Sequence, residues 1–182
     1  MIVNLSYMGL SIVELDVLKS EADSEDSTRV IDDDSDSDGG GGTKDLSAIT
    51  GLDLSHNRVQ DFDFLAHLPS LQTLILDHNH LGSHLRLPVL PNLHTLWANH
   101  NEVSNLAIFV ASLRVACPGL NYLSLMNNPC APSYLNGGSV KAYCDYRHFV
   151  IGKLETLTHL DDRPVSKIER TEAQKLYGAL NL

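Results

Sequence analysis

The chain has 182 residues, of which 43% are hydrophobic and only 6% aromatic, and its formal net charge is −10. This length and apolar content suit one globular domain and exclude a wholly disordered chain, and the preponderance of leucine favours a core built from one repeated aliphatic unit. With 13 Lys and Arg against 23 Asp and Glu, a broad basic face that binds nucleic acid directly is excluded as well.

Residues 1–20 contain the strand half of a repeat. Val3, Leu5 and Leu10 follow the apolar spacing found further along the chain, and Met8 stands where later repeats carry an asparagine. We therefore interpret this segment as a degenerate first repeat. It lacks a basic region followed by an apolar run of signal-peptide length, and no stretch of the chain approaches about 20 apolar residues. We expect a cytoplasmic protein without membrane insertion, with the nucleus as the alternative compartment.

Residues 21–45 interrupt the repeats. The segment 21–38 holds nine acidic residues against one arginine, and four consecutive glycines follow it. Such a composition cannot bury enough apolar surface to fold, so it predicts a disordered, acidic and glycine-rich insertion.

Two further patterns fall in or beside this insertion. Asp-Ser-Asp-Ser-Asp-Gly at 34–39 followed by Asp45 matches a calcium loop, but no amphipathic helix pair flanks it, so a calcium site is the weaker interpretation. Ser20 and Ser35 each precede an acid by three residues, a pattern typical of substrates for acid-directed kinases. Phosphorylation there would strengthen the negative field.

Residues 46–128 repeat the template L-x-x-L-x-L-x-x-N-x-L four times. Its asparagines are 22, 22 and 27 residues apart, and leucine-rich repeats span about 20–29 residues. The alternating part predicts a short strand with one buried face, and successive strands then stack about 4.8 Å apart as a parallel sheet. An amide is needed at the bend because it offers buried backbone groups both a donor and an acceptor. The predicted structural asparagines are Asn57, Asn79, Asn101 and Asn128.

The segments that return from one strand to the next differ in length. After Asn57, apolar residues recur about every third position from Val59 to Leu71, which predicts a tight 3₁₀-like return on the convex side. The fourth unit is five residues longer, and residues 106–116 read as a true helix that stops before Pro118.

The solvent-facing strand positions form the concave face of such a solenoid. The template places Ile75, Trp97 and Tyr122 there, and exposed apolar and aromatic residues with a polar rim are typical of a protein-binding surface. The alternative is that the protein's own loops cover Trp97. We predict a partner-binding site made by Asp53, His56, Thr73, Ile75, Asp77, His78, Thr95, Trp97, Asn99, His100 and Tyr122.

Three histidines recur at the repeat period, each just before an asparagine: His56, His78 and His100. With Asp77 beside them a zinc or copper site can be drawn, but the repeat itself aligns these imidazoles, and a solvated row needs no metal. We therefore predict no metal and no other cofactor, and pH-sensitive partner binding stays open as an alternative.

Catalysis has little support in the sequence. Asp53, Ser55 and His56 match a catalytic triad only by residue type, because alternation along a strand sends neighbouring side chains to opposite faces. No glycine-framed oxyanion donor lies nearby. The three cysteines are odd in number without CxxC spacing, which indicates reduced thiols. We predict that the protein is not an enzyme.

Residues 129–182 leave the template and predict a C-terminal cap, which a solenoid needs because its last repeat otherwise exposes the core to water. Helix-compatible spacing runs over 142–154, a final strand over 157–160, and a short polar helix over 166–176. The predicted cap contacts are Tyr146, Phe149, Val150, Leu157 and Leu160. The fold class is therefore an α/β leucine-rich repeat solenoid with parallel strands on the concave face, a 3₁₀ and helical convex side, and a helical cap.

The cap sequence carries a family resemblance. Residues 146–161, YRHFVIGKLETLTHLD, followed by Val165, Glu169 and Arg170, resemble the cap of leucine-rich repeat proteins of the phosphatase-regulator type, which include the spliceosomal A-prime protein. Three further strings resemble the leucine-rich repeat proteins associated with melanocyte differentiation: VNLSYMGL at 3–10, LILDHNHLG at 74–82 and YLSLMNN at 122–128.

These resemblances imply a non-enzymatic adaptor that acts in pigment-cell differentiation through organelle or membrane trafficking. The partner is then another protein, such as a membrane-trafficking factor, and we expect the chain itself to be a monomer. The A-prime resemblance implies the alternative, a structural subunit of a ribonucleoprotein.

Overall fold

The computed structural model describes residues 1–13, 17–18, 20, 46–133 and 136–178. The predicted acidic insertion, with its calcium-loop pattern and Ser35, lies outside these residues.

The described strands stack into one sheet in the order of the sequence. They are β1 (Ile2–Asn4), β2 (Gly51–Asp53), β3 (Thr73–Ile75), β4 (Thr95–Trp97), β5 (Tyr122–Ser124), β6 (His159–Leu160) and β7 (Arg163–Pro164). All pairs from β1 to β6 are parallel, and β7 closes the sheet antiparallel to β6. One apolar residue per strand faces the core and pairs in register across the sheet: Val3, Leu52, Leu74, Leu96, Leu123 and Leu160. The predicted solenoid fold is confirmed.

A ladder of buried asparagine side chains joins each repeat to the one before it. The Asn79 amide nitrogen donates to the carbonyls of Leu76 in its own repeat and Leu54 in the preceding one, at 3.1 and 3.0 Å. Its side-chain oxygen accepts from the backbone N–H of Val59 at 3.3 Å. Asn57, Asn101 and Asn128 are buried in the same way and donate to carbonyls of their preceding repeats. Both halves of the amide are therefore used at every bend.

Within residues 46–128, the convex side carries short 3₁₀ turns and a longer helix. The 3₁₀ segments are Leu46–Ala48 and Asp63–His67, and the helix α1 spans Leu106–Ala116. The Asn105 side chain caps α1 by accepting from the backbone N–H of Ile108, which fixes its start. The longer fourth unit thus forms the predicted helix, and Phe109 of this helix buries its ring completely in the core.

The C-terminal cap consists of two helices packed across each other. Helix α2 spans Val140–Lys153, and α3 spans Lys167–Ala173 and continues into a π-helical turn, Gln174–Gly178. The first begins two residues earlier than predicted because the Ser139 hydroxyl caps it. A Cβ at Gly152 would lie 2.8 Å from the carbonyl oxygen of Ala173, so glycine is required where the two helices meet.

The predicted cap residues lie against the last repeat and the C-terminal turn. Tyr146, Val150, Leu157 and Leu160 are buried. Phe149 is half-buried, and its ring meets Tyr177 edge to face with centroids 5.4 Å apart.

A buried carboxylate, Asp161, follows β6 and joins the cap to the last repeat. It accepts from the backbone N–H of Leu125 at 2.9 Å and from the Tyr146 hydroxyl at 3.0 Å. Burial raises the pKa of the Asp161 carboxyl, although both hydrogen bonds favour the ionised form.

We expect Asp161→Asn to be at least as stable as the wild type at pH 7, because it buries no charge and asparagine tolerates the φ of 57°. Its amide oxygen can accept from the Leu125 N–H, and its amide nitrogen can donate to the Tyr146 hydroxyl oxygen. A carboxyl with a raised folded-state pKa stabilises the fold at low pH and loses that contribution as pH rises through the raised value. The difference in free energy of unfolding, measured by urea titration from pH 4 to 8, should therefore shrink toward low pH. A variant destabilised at pH 7 and equally so at pH 4 would contradict this role for the charge.

Candidate functional site

The inner face of the sheet carries most of the residues predicted to bind a partner. We define the concave surface as Asp53, Thr73, Ile75, Asp77, Thr95, Trp97, Tyr122 and His159. Among the predicted site residues, Trp97, His78 and His100 are exposed, while the partly exposed ones are Asp53, His56, Thr73, Ile75, Asp77, Thr95 and Tyr122. The parallel register therefore brings side chains from five strands to one face.

The centre of the concave surface is aromatic. Trp97 is 39% exposed, so the described residues do not cover its indole, and it pairs in register with Ile75 on β3. The Trp97 and Tyr122 ring centroids are 6.2 Å apart, and Tyr122 stacks on His159 at 5.7 Å. The Tyr122 hydroxyl donates to the backbone carbonyl of Asp161 at 2.9 Å, which fixes the ring. A held, partly exposed aromatic row is a favourable anchor for a protein partner.

Two carboxylates, Asp53 and Asp77, lie on the side of the concave surface formed by β2 and β3. One Asp53 side-chain oxygen accepts from the backbone N–H of Ser55 at 2.8 Å. The Asp77 carboxylate accepts from the backbone N–H and the side-chain amide of Asn99 at 2.8 and 3.2 Å. These contacts orient both carboxylates while each keeps further acceptor capacity toward solvent.

Asn99 was predicted to belong to the partner-binding site as an outward-facing residue, but its side chain is buried. Its oxygen accepts from the Ser124 hydroxyl at 2.6 Å and from the backbone N–H of Met126 at 2.9 Å. Asn99 therefore ties β4 to β5 from within. The strand template marks this position as outward-facing, and it misses the bend that turns the side chain inward.

A column of four stacked rings runs along the edge of the sheet. Tyr7, His56, His78 and His100 have successive centroid separations of 4.0, 4.2 and 4.0 Å with interplanar angles of 11–12°. All four residues adopt a left-handed backbone, with φ between 54° and 60°. Asn127 holds the same conformation one repeat later, and its amide lies 3.0 Å from a ring nitrogen of His100.

This ring column is built by the repeat rather than by a ligand. Within the described ranges, no group of three or more His, Cys, Asp or Glu side chains is arranged to hold a metal ion. The three imidazoles pack face to face, an arrangement in which their nitrogens do not converge on one point. The aligned histidines thus contribute stacking beside the concave surface.

The residues that matched a catalytic triad by type are not arranged as one. The His56 ring is enclosed between the rings of Tyr7 and His78, and the Asp53 carboxylate bonds a backbone N–H. Burial also raises the pKa of the Cys117 thiol to about 12, so this cysteine has little thiolate with which to attack a substrate.

Two members of these arrangements were missed by the sequence analysis, His159 and Tyr7. The signal for His159 was available, because Leu160 was placed in a strand and the preceding position must then face outward, as Tyr122 does before Leu123. Tyr7 occupies the position equivalent to His56 in the first repeat, but one aromatic residue in a degenerate repeat gives no periodic signal.

None of the helices in the described part of the chain is both long and apolar enough to cross a membrane.

Comparison with known proteins gives one family and one informative structure. A family model described as a leucine-rich repeat matches residues 40–180. No curated protein matches the chain significantly. A chain from the crystal structure of the Drosophila melanogaster SNF/U2A' complex is 28% identical, with a TM-score of 0.54, and the match covers 71% of this chain and 69% of that one. Both comparisons agree with the repeat architecture of the sheet.

Proposed function

Because the chain belongs to the leucine-rich repeat family, we propose that it is a non-enzymatic adaptor that binds another protein through the concave surface. The observation that supports this most is the row formed by Ile75, Trp97, Tyr122 and His159, of which Trp97 and His159 are exposed and the other two partly exposed. Large aromatic residues held in place by their neighbours make up a disproportionate share of binding hot spots.

Loss of Trp97 and Ile75 from the concave surface should strongly weaken partner binding. We expect Trp97→Ala combined with Ile75→Asp to weaken partner binding at least about 30-fold, because a truncated hot spot typically costs 2 kcal/mol or more. The measurement is proximity labelling and pull-down from cells that express the full chain.

The matched control is Val115→Asp, an equally drastic change at a residue that is 70% exposed on α1, on the convex side. It should leave the set of captured proteins intact. Identical partners for the concave double variant and the wild type would refute binding through this surface.

We further propose that the adaptor acts in organelle or membrane trafficking during pigment-cell differentiation, in the cytoplasm. This proposal rests only on the resemblance of the sequence segments 3–10, 74–82 and 122–128 to leucine-rich repeat proteins associated with melanocyte differentiation. Co-migration of the full chain with organelle fractions that carry a trafficking protein is the expected result.

A second candidate function is that of a structural subunit in a ribonucleoprotein. The likeness to a chain of the SNF/U2A' complex favours it. The two candidates differ in the partner they require, because a ribonucleoprotein subunit should co-purify with an RNA-binding protein in nuclear extracts. Partners lost on nuclease treatment would favour this second function.

A further inference from the structure

The charges on the concave surface have one sign. Two of its members, Asp53 and Asp77, carry carboxylates, and none of them is Lys or Arg. Both carboxylates are partly exposed. Asp53 continues the Ile75–Trp97 row onto β2, and Asp77 follows Ile75 by two residues along the chain. An anionic partner would meet repulsion here, whereas a cationic group would find oriented acceptors.

The register sets the distances between charge and apolar anchor. Asp53 pairs with Ile75, and Ile75 pairs with Trp97, each on the next strand. With strands about 4.8 Å apart, the Asp53 position lies about 5 Å from Ile75 and about 10 Å from Trp97. Residues one turn apart on an α-helix are separated by about 5.4 Å along its axis, and residues two turns apart by about 11 Å. A helix laid across the strands would therefore match this spacing side chain for side chain.

From this match we infer that the partner presents an amphipathic segment with a Lys or Arg one helical turn from its first large apolar residue and two turns from its second. The basic group lies against Asp53 and Asp77, and the apolar residues lie on Ile75 and on the Trp97–Tyr122 row. This inference rests on the proposed function and adds the chemistry of the partner to it.

The test is selection of a random peptide library, displayed on phage, against the full chain. Peptides that also bind the Ile75→Asp, Trp97→Ala variant are removed, so that the remaining peptides require the concave surface. Because Trp97 is the only tryptophan in the chain, its fluorescence reports directly whether a selected peptide reaches this site.

The expected result is enrichment of peptides with Lys or Arg three or four positions from one large apolar residue and seven from another. Asp53→Asn with Asp77→Asn should then weaken the best peptide about fivefold at low salt and less at high salt, since partly exposed ion pairs are screened. Asparagine can still accept the backbone hydrogen bonds of both positions, and the one bond lost is that from the Asn99 side-chain amide to Asp77.

Two other outcomes distinguish a failure of this inference from a failure of the proposed function. Peptides that require Trp97 but show no basic preference, or an acidic one, would overturn the inference and leave the proposed function standing. A selection that returns no Trp97-dependent peptide would overturn both.

Discussion

Arg147→Ala is expected to destabilise the protein by about 3–5 kcal/mol, the usual result of removing one partner from a buried ion pair. Arg147 is 4% exposed, and its guanidinium makes a bidentate contact with the Glu169 carboxylate at 2.6 and 3.0 Å. A third nitrogen donates to the carbonyl of Leu160 at 2.8 Å. The variant leaves the half-buried Glu169 carboxylate without its cation and removes a donor from the carbonyl of Leu160 on the last parallel strand.

The contribution of this ion pair should also depend on pH. Burial opposes ionisation of Glu169, but the hydrogen bonds and charge of Arg147 outweigh it and hold the pKa of the carboxyl below its ordinary value of 4.5. A depressed carboxyl pKa stabilises the fold at neutral pH, and that stabilisation is lost as pH falls through the folded-state value. The difference in free energy of unfolding between the wild type and Arg147→Ala should therefore become smaller at acidic pH.

Chemical denaturation at pH 7 and below pH 4.5 measures both effects. The control is Arg163→Ala, an exposed arginine of the same cap, which should change the free energy of unfolding by less than about 0.5 kcal/mol. Equal and small effects of the two substitutions would show that the buried pair does not hold the cap in place.

Asn79→Ala is expected to lower the free energy of unfolding by about 2–4 kcal/mol, because it leaves one buried backbone N–H unpaired, at a cost of about 1–3 kcal/mol, and removes two further hydrogen bonds worth about 0.5–1.5 kcal/mol each. The unpaired group is the N–H of Val59. The carbonyls of Leu54 and Leu76 each lose one of two amide donors and keep the bonds from Asn57 and Asn101. Asn79→Asp should be no more stable than Asn79→Ala, since aspartate keeps the acceptor oxygen but points a second oxygen at the two carbonyls.

Thermal and urea unfolding of the two variants measure this effect. Asn92→Ala serves as control, because Asn92 is exposed and makes a single side-chain bond to the carbonyl of Pro69. If Asn79→Asp unfolds like the Asn92 control, the donor half of the amide is dispensable and the ladder is not what joins the repeats.

The repeat region could be predicted because its physics is periodic. Each repeat must bury the same strand leucine and satisfy the same bend, so Asn57, Asn79 and Asn101 recur at a fixed spacing that a single sequence displays. Helix α1 was predicted with its observed bounds, because Pro118 and Gly119 follow immediately after its C-cap residue, Cys117.

The parts that escaped prediction are the ones that occur once. Asn99 sits at a position that the template marks as outward, and only its bonds to Ser124 and Met126 explain its burial. Arg147 and Glu169 are 22 residues apart and join the two cap helices, and neither residue carries a periodic signal. Single-copy polar contacts of this kind depend on tertiary packing, which no local pattern encodes.

Hydrogen exchange of the full chain, with and without the captured partner, measures where that partner binds. Binding through the concave surface predicts slower exchange in peptides that span β3, β4 and β5, centred on Trp97, and no change in α1 on the convex side. Protection confined to α1 or to the cap helices, with β3 to β5 unchanged, would contradict it.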